Sequence, residues 1–178
     1  MTRLEIHKIC EEYNIKKYII NDDMSISVNG SVGLAYRNLK SIPITFKEVS
    51  GDFDCSDNQL TSLKYCPETV GGFYCSGDQL TSLEYCPESV GGRFYCNYNQ
   101  ITNFDGLPEF FERPISIYEN PVDEIYKLFN EDPRCIYWIR EFDAIQGDEV
   151  VRDRLEEVYH TFGMDIPKDI VLKEYILV

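Results

Sequence analysis

The feature that most constrains this chain is an internal repeat of about 20 residues in its centre. The three clearest copies begin at Phe53, Phe73 and Phe94 and read FDCSDNQLTSL, FYCSGDQLTSL and FYCNYNQITNF. A fixed period of this length is typical of solenoids, in which each unit packs only against its neighbours. The repeat therefore predicts an extended stack of short strands, which offers a long surface for binding.

The spacing within one unit gives each position a physical role. Phe73 and Cys75 are two residues apart, so both point to one side of a short strand while Tyr74 points to the other. Asp78 follows where the chain turns out of the strand, and its side chain can bond to backbone groups that the turn leaves unpaired. Leu80 then returns to the core, so the unit predicts one apolar side and one open side.

Weaker copies extend the register in both directions. The matching positions are Val32, Leu34, Leu39 and Ile42 upstream, and Ile115, Ile117, Asn120 and Val122 downstream. Arg37 replaces the polar turn residue in the first copy, and Pro121 interrupts the last one. Terminal units of a solenoid are commonly atypical because they cap the stack. We therefore predict about five turns over residues 28–122.

The second half of each unit carries another matched set. It reads Cys66-Pro67-Glu68, Cys86-Pro87-Glu88 and Leu107-Pro108-Glu109, followed in turn by Val70, Val90 and Phe111. Gly71-Gly72 and Gly91-Gly92 allow a tight return into the next strand. The short period leaves no room for a full helix, so we expect extended or 3₁₀ segments on this side.

Together these positions resemble a known repeat. Cys55, Asn58, Leu60, Leu63 and Cys66-Pro67 form the unit C-x-x-N-x-L-x-x-L-x-x-C-P, which is similar to the short leucine-rich repeats of bacterial and bacteriophage proteins. The resemblance extends over residues 28–122. It implies a leucine-rich-repeat solenoid and a small intracellular phage or bacterial protein that binds and modulates a host protein, such as a defence component.

The cysteines follow the repeat rather than a metal or disulfide pattern. Cys55, Cys75 and Cys96 share a position that Leu34 and Ile117 occupy in the flanking turns, which indicates a buried apolar slot. No CxxC pair or nearby histidine completes a metal site, so we expect no metal and no cofactor. Neither a signal peptide nor a long apolar run is evident in the sequence, and we therefore expect a reduced, cytoplasmic protein.

The two flanks differ from the repeats. Residues 1–27 combine a helical apolar stripe with a strand-turn-strand pattern, which predicts a helix and β-hairpin cap. Residues 123–178 carry three helical stripes and close with a strand over residues 170–178, so they form either a large cap or a small helical subdomain. The complete prediction is an α+β chain with a central β-solenoid.

The charge distribution favours a protein partner. The formal net charge is −14, and residues 50–112 hold 2 basic and 10 acidic side chains. Direct nucleic-acid binding and anionic membranes are disfavoured because both require positive charge. An acidic solenoid suits a partner with a basic surface. Two alternatives remain: the charge only keeps the protein soluble, or the chain is an acidic nucleic-acid mimic that sequesters a DNA- or RNA-binding protein.

Signals for catalysis are weak. His7 and His160 belong to no triad or metal-ligand pattern, and no phosphate-binding glycine motif is present. Cys135 lies at helical spacing with Ile136 and Ile139, which indicates a core position. We therefore expect a protein that is not an enzyme. A small enzyme or ligase adaptor that acts through the C-terminal flank is the alternative, and it would depend on a reactive group such as Cys135.

The candidate binding residues occupy the outward side of the strands and the turns beside them. They are Asp52, Asp54, Tyr74, Arg93, Tyr95, Tyr98 and Tyr118. Tyrosine and arginine are enriched at binding hot spots. Alternatively, Tyr74 and Tyr95 only stabilise neighbouring strands by pairing across them. Trp138 is a second candidate anchor if it faces solvent, and otherwise it packs against the last repeat.

Overall fold

The computed structural model describes residues 1–108 and 115–178. Its architecture is mixed α+β, with a β-solenoid in the centre, a helix and hairpin before it, and helices with a small sheet after it. The predicted class, an α+β chain built on a β-solenoid, is confirmed. Buried apolar side chains from all three segments belong to one continuous core.

The N-terminal segment is a capped helix followed by an antiparallel hairpin. The Thr2 Oγ1 accepts a hydrogen bond from the Glu5 backbone N–H at 3.3 Å, and the Glu5 carboxylate accepts one from the Thr2 N–H at 2.7 Å. This reciprocal capping box satisfies two backbone donors at the helix start. The helix buries Ile6 and Cys10. Its elements are α1 (Arg3–Glu12), β1 (Tyr18–Ile20) and β2 (Ile26–Val28).

The solenoid is built on two five-stranded sheets, and the chain alternates between them, so that a complete turn contributes one strand to each. In chain order its strands are β3 (Val32–Gly33), β4 (Phe46–Val49), β5 (Phe53–Asp54), β6 (Thr69–Val70), β7 (Phe73–Tyr74), β8 (Ser89–Val90), β9 (Phe94–Tyr95) and β10 (Ile115–Ser116). We call β3, β5, β7, β9 and β10 the front sheet; it is parallel throughout. The return sheet has the order β1-β2-β4-β6-β8, so the N-terminal hairpin continues it.

The solenoid has about four turns, one fewer than predicted. The five strands of the front sheet bound four turns, because each turn runs from one strand to the next. After the fifth strand the chain enters a helix at Asp123 rather than starting another turn. Pro121 lacks a backbone N–H and lies next to this helix, where it does not continue the repeat.

The inward side of the front sheet forms the core of the solenoid. Its register aligns one buried row of apolar residues, which is Val32, Phe53, Phe73, Phe94 and Ile115. The rings of Phe73 and Phe94 meet edge to face with centroids 5.3 Å apart. Burial of such a ring contributes ~2 kcal/mol. All seven cysteines are free and buried, so the prediction that they fill apolar core slots is confirmed.

A ladder of buried polar side chains ties one turn to the next. The Asn99 Oδ1 accepts a hydrogen bond from the Leu80 N–H at 3.0 Å, and its Nδ2 donates to the carbonyls of Cys75 and Cys96 at 2.9 and 3.1 Å. These partners lie in two consecutive turns. The same predicted turn position is held by Asn58, Asp78 and Asn120, all of them buried.

Glycines let the chain turn from the return sheet into the front sheet. A Cβ atom at Gly71 would lie 2.9 Å from the Gly51 carbonyl oxygen, and one at Gly92 would lie 2.7 Å from the Gly71 oxygen. Backbones of successive turns therefore touch here, at the glycine pairs that were predicted to allow a tight return into the next strand. Residues 29–108 contain no helix, in line with the expected extended segments. The predicted repeat positions Glu109 and Phe111 lie outside the described residues.

The C-terminal segment contains three helices on the predicted stripes and a small sheet. Its elements are α2 (Asp123–Leu128), α3 (Arg134–Glu141), β11 (Ile145–Gln146), β12 (Glu149–Val150), α4 (Arg152–Thr161) and β13 (Ile176–Leu177). The strand predicted over residues 170–178 is only two residues long. The reason is that the Glu124 carboxylate accepts hydrogen bonds from the N–H groups of Lys173 and Glu174, each at 2.9 Å, which diverts this backbone from strand pairing.

This segment packs directly on the last turn of the solenoid. The Arg140 guanidinium donates to the Leu107 carbonyl at 3.1 Å, and the Tyr175 hydroxyl donates to the Thr102 carbonyl. The rings of Phe104 and Tyr126 meet with centroids 6.2 Å apart. These contacts cover the apolar end of the stack, which would otherwise face water.

Candidate protein-binding surface

The front sheet presents a second row of side chains on its outward face. Parallel register aligns the outward row, which is Gly33, Asp54, Tyr74, Tyr95 and Ser116. Each residue follows a member of the buried row by one position, so it points to the opposite side of the sheet. The sequence correctly predicted which side of the sheet these residues face. The outward row is therefore a continuous surface built from all five strands.

Tyr74 and Tyr95 form the centre of this surface. Their rings meet edge to face with centroids 5.5 Å apart and an interplanar angle of 88°. Such a contact contributes ~1 kcal/mol beyond area burial, so the predicted stacking between strands is present. Both rings are half-buried and keep part of their surface open to solvent.

Charged side chains surround Tyr74. Burial raises the pKa of the Tyr74 hydroxyl, the negative charge of Asp52 raises it further, and the positive charge of Arg93 opposes both effects. A Cβ atom at Gly72 would lie 2.7 Å from the Asp52 Oδ1 and 3.1 Å from the Tyr74 ring. The glycine therefore allows Asp52 and Tyr74 to approach each other. Asp54 acts on the same hydroxyl, so the structure brings together these four predicted site residues.

A shallow groove of about 250 Å³ opens at the first turn. It is lined by Ser31, Val32, Gly33, Asp52, Asp54 and Tyr74. Ser31 and Gly33 were not among the predicted surface residues. The signal was present, because alternation around the buried Val32 places both neighbours on the outward side.

Tyr98 and Tyr118 form a second aromatic pair rather than an extension of the first. Their ring centroids are 4.9 Å apart, and the two side chains are 56% and 43% exposed. A hydrogen bond to Tyr118 raises the pKa of the Tyr98 hydroxyl. Tyr98 has φ 53°, and Gly77 holds the equivalent position with φ 71°. A non-glycine residue in this left-handed region costs ~1 kcal/mol.

Trp138 lies apart from these residues in sequence, on α3 of the C-terminal segment. Its ring stacks on Phe142 with centroids 5.7 Å apart and meets the Tyr137 ring edge to face at 4.9 Å. The side chain is half-buried. These two contacts are thus made with a residue of α3 and with the residue that follows its last turn. The predicted site residues form two tyrosine-centred groups on the solenoid and one aromatic group on α3.

The surface offers binding chemistry rather than an activated nucleophile. Its groups are phenol rings, carboxylates and a guanidinium, which provide contact area, hydrogen bonds and charge. Cys135 is fully buried, and burial raises the pKa of its thiol well above the usual range, whereas a reactive cysteine needs an accessible thiolate. Within residues 1–108 and 115–178, no group of three or more His, Cys, Asp or Glu side chains is placed to hold a metal ion.

Comparisons with known proteins give no significant match to a protein-family model, a curated protein or a solved structure. Among the helices of the described residues, none has the length and apolar character needed to cross a membrane.

Proposed function

We propose that this chain is a non-enzymatic protein-binding module of the leucine-rich-repeat type, which binds a protein partner through the outward face of the front sheet. One observation carries this proposal. Tyr74 and Tyr95 stand in register at the centre of a parallel sheet, with Asp52, Asp54 and Arg93 around them. Tyrosine supplies a large rigid contact area, and tyrosine and arginine dominate binding hot spots.

The charge of the solenoid supports a partner with a basic surface. Residues 50–112 carry 10 acidic and 2 basic side chains. Asp52 is exposed and Asp54 is half-buried beside the first tyrosine. Complementary charge accelerates association and selects against acidic partners, and salt weakens both effects. Binding is therefore expected to be sensitive to ionic strength.

The resemblance to short bacterial and bacteriophage leucine-rich repeats supports the biological setting. In that setting the chain is a phage or bacterial protein that binds and modulates a host protein, such as a defence component, in the bacterial cytoplasm. The seven buried free thiols suit a reducing compartment, where disulfides seldom form.

The acidic excess also favours a second candidate, an acidic nucleic-acid mimic that sequesters a DNA- or RNA-binding protein. The exposed Glu68 and Glu88 lie in neighbouring strand connections of the return sheet, on another face than the outward row. A mimic would use overall negative charge, so duplex DNA would compete for its partner. The binding module instead depends on particular residues of the outward row.

Affinity capture from bacterial lysate tests the proposal. We would compare the full chain with Asp52→Asn/Asp54→Asn, at about 50 mM and about 500 mM salt, and identify captured proteins by mass spectrometry. The matched control is Asp165→Asn/Asp169→Asn, which makes the same charge change at exposed positions of the C-terminal segment. We expect one stoichiometric partner that the control retains and that the first variant and high salt both release.

Three results would change the conclusion. Equal capture by both variants would contradict the outward row as the binding site. Release by the control variant alone would place binding on the C-terminal segment. Displacement of the partner by duplex DNA, together with equal effects of both variants, would support the mimic instead.

A further inference from the structure

The buried ladder of the solenoid contains one acidic rung. Asn58, Asn99 and Asn120 hold three of its positions, whereas Asp78 holds the fourth and is only 8% exposed. The Asp78 Oδ1 accepts a hydrogen bond from the Leu60 N–H at 2.8 Å. This bond matches the ones that the asparagine rungs make through their Oδ1 atoms, so Asp78 adopts the same position as an asparagine.

The other terminal atom of the side chain, which is Oδ2 in Asp78 and Nδ2 in the asparagines, distinguishes Asp78 from the other rungs. The Asn58 Nδ2 donates to the carbonyls of Leu34 and Cys55 at 2.9 and 2.8 Å. One turn later, the equivalent carbonyls belong to Cys55 and Cys75. The Asp78 Oδ2 replaces the donor and is buried, and it has no hydrogen-bond partner among residues 1–108 and 115–178. An ionised oxygen accepts only, and therefore cannot bond to a carbonyl oxygen.

We propose that Asp78 is held as the neutral carboxylic acid and that its Oδ2–H donates to one of these carbonyls, which makes the third turn of the solenoid a pH-sensitive rung. A protonated carboxyl has one donor and one acceptor oxygen, as an asparagine side chain has a donor and an acceptor atom. Deprotonation leaves a negative oxygen among backbone acceptors and weakens the junction between the second and third turns.

The groups that face Asp78 shift the pKa of its carboxyl in both directions. Burial raises the pKa of its carboxyl, the negative charge of Asp57 on the preceding turn adds to this effect, and the net pKa is about 7. Hydrogen bonds from the backbone N–H groups of Leu60 and Asn58 lower it. The Cys75 thiol is a further titratable neighbour, and burial raises its pKa well above the usual range, so it stays neutral.

The sign of the pH effect follows from the raised pKa. The carboxyl is protonated up to about pH 7 in the folded chain and up to about 3.8 in the unfolded chain. The contribution of this rung to stability is therefore complete below pH 3.8 and is lost as the pH rises through about 7. The rung lies directly after the strand that carries Tyr74, so the loss falls in the middle of the outward row.

Two measurements on the full chain test this inference. The first follows the carboxyl carbon of Asp78 by NMR between pH 4 and pH 9, with an expected midpoint about three pH units above that of an ordinary aspartate. The second compares melting temperatures of Asp78→Asn and of Asp105→Asn, an exposed control with the same charge change. Asp78→Asn should raise the melting temperature by about 5 °C more at pH 8.5 than at pH 5.5, and the control should not.

A carboxyl midpoint near pH 4 would overturn the inference, and so would equal temperature shifts of Asp78→Asn at both pH values. If Asp78→Asn does not fold, Asn99→Asp tests the same idea from the other direction. This variant creates a second acidic rung and should add a loss of stability above neutral pH. The NMR midpoint of the unmodified chain decides the outcome in either case.

Discussion

Residues on the two sides of the front sheet are direct neighbours in sequence, but the two sides differ in which residue types they contain. The buried row has an apolar residue in every strand, and its middle three members are all phenylalanine. The outward row runs through glycine, aspartate, two tyrosines and serine. Each turn must fit the next across the core, so the inner side repeats. The outer side has no such requirement, and its chemistry is free to suit a partner.

Thiol reactivity should show the largest difference between the two sides. Cys75 is fully buried, and burial raises the pKa of its thiol. Because a buried neutral thiol reacts only when the structure opens, we expect labelling by a thiol reagent at pH 8 to be at least about a thousandfold slower than in urea. Arg93→Cys supplies an exposed thiol on the outward side as a positive control. Rapid labelling of Cys75 in the folded chain would contradict the predicted difference in accessibility between the two sides of the sheet.

Neighbouring substitutions in one strand should differ in their cost. Phe73→Ala removes a fully buried ring and should lower the free energy of unfolding by ~4 kcal/mol. Tyr74→Ala removes a half-buried ring and one edge contact and should cost ~1 kcal/mol. Equilibrium unfolding in urea measures both values. Similar costs for the two changes would mean that the outward row also holds the fold together.

Much of this architecture could be predicted from the sequence, because it depends on local spacing repeated at a fixed period. Because alternate residues of a strand point to opposite sides, the spacing predicted correctly that Tyr74 and Tyr95 face outward. Because leucine and isoleucine hold the same repeat position in the flanking turns, the cysteines were predicted correctly to be buried. The number of turns was one too high because each of the five matched strands was counted as a turn, whereas five strands bound only four turns. The hairpin of β11 and β12 was missed since strands of two residues are too short to produce an alternating pattern.

Parts of the candidate site also depended on contacts that spacing does not encode. The pairing of Tyr98 with Tyr118 arises because both lie in turns that stack on each other, and because Tyr98 adopts a positive φ. The environment of Trp138 depends on how its ring packs against Tyr137 and against Phe142, which follows α3. Such contacts follow from three-dimensional packing, so they appeared only in the structure.

A smaller effect is expected from the ladder. Asn99→Ala would leave the Leu80 N–H and the carbonyls of Cys75 and Cys96 without their side-chain partner. Unsatisfied buried backbone groups are costly, so the free energy of unfolding should fall by ~3 kcal/mol, somewhat less than for Phe73→Ala. The exposed neighbour Gln100→Ala serves as the control and should change stability by less than ~0.5 kcal/mol. A similar value for both would contradict the role of the ladder.

The smallest change is expected at a buried hydroxyl outside the solenoid. Within the part of the chain that the structure describes, the buried hydroxyl of Tyr126 has no hydrogen-bond partner, and burial raises its pKa. Tyr126→Phe removes an unsatisfied polar group and should leave stability unchanged or increase it by up to ~1 kcal/mol. Urea unfolding of this variant beside Asn99→Ala compares an unbonded buried polar group with a bonded one. A clear loss of stability would indicate that the hydroxyl has a partner in solution.

The central claim is that the outward row binds a partner while the buried row maintains the fold. The most direct test measures the affinity of the captured partner for Tyr74→Ala/Tyr95→Ala, with Tyr137→Ala on α3 as the control, and the unfolding free energy of each variant. We predict that the double variant loses ~2 kcal/mol or more of binding free energy, about thirtyfold in affinity, while it remains folded. Unchanged affinity of a folded double variant would contradict the claim.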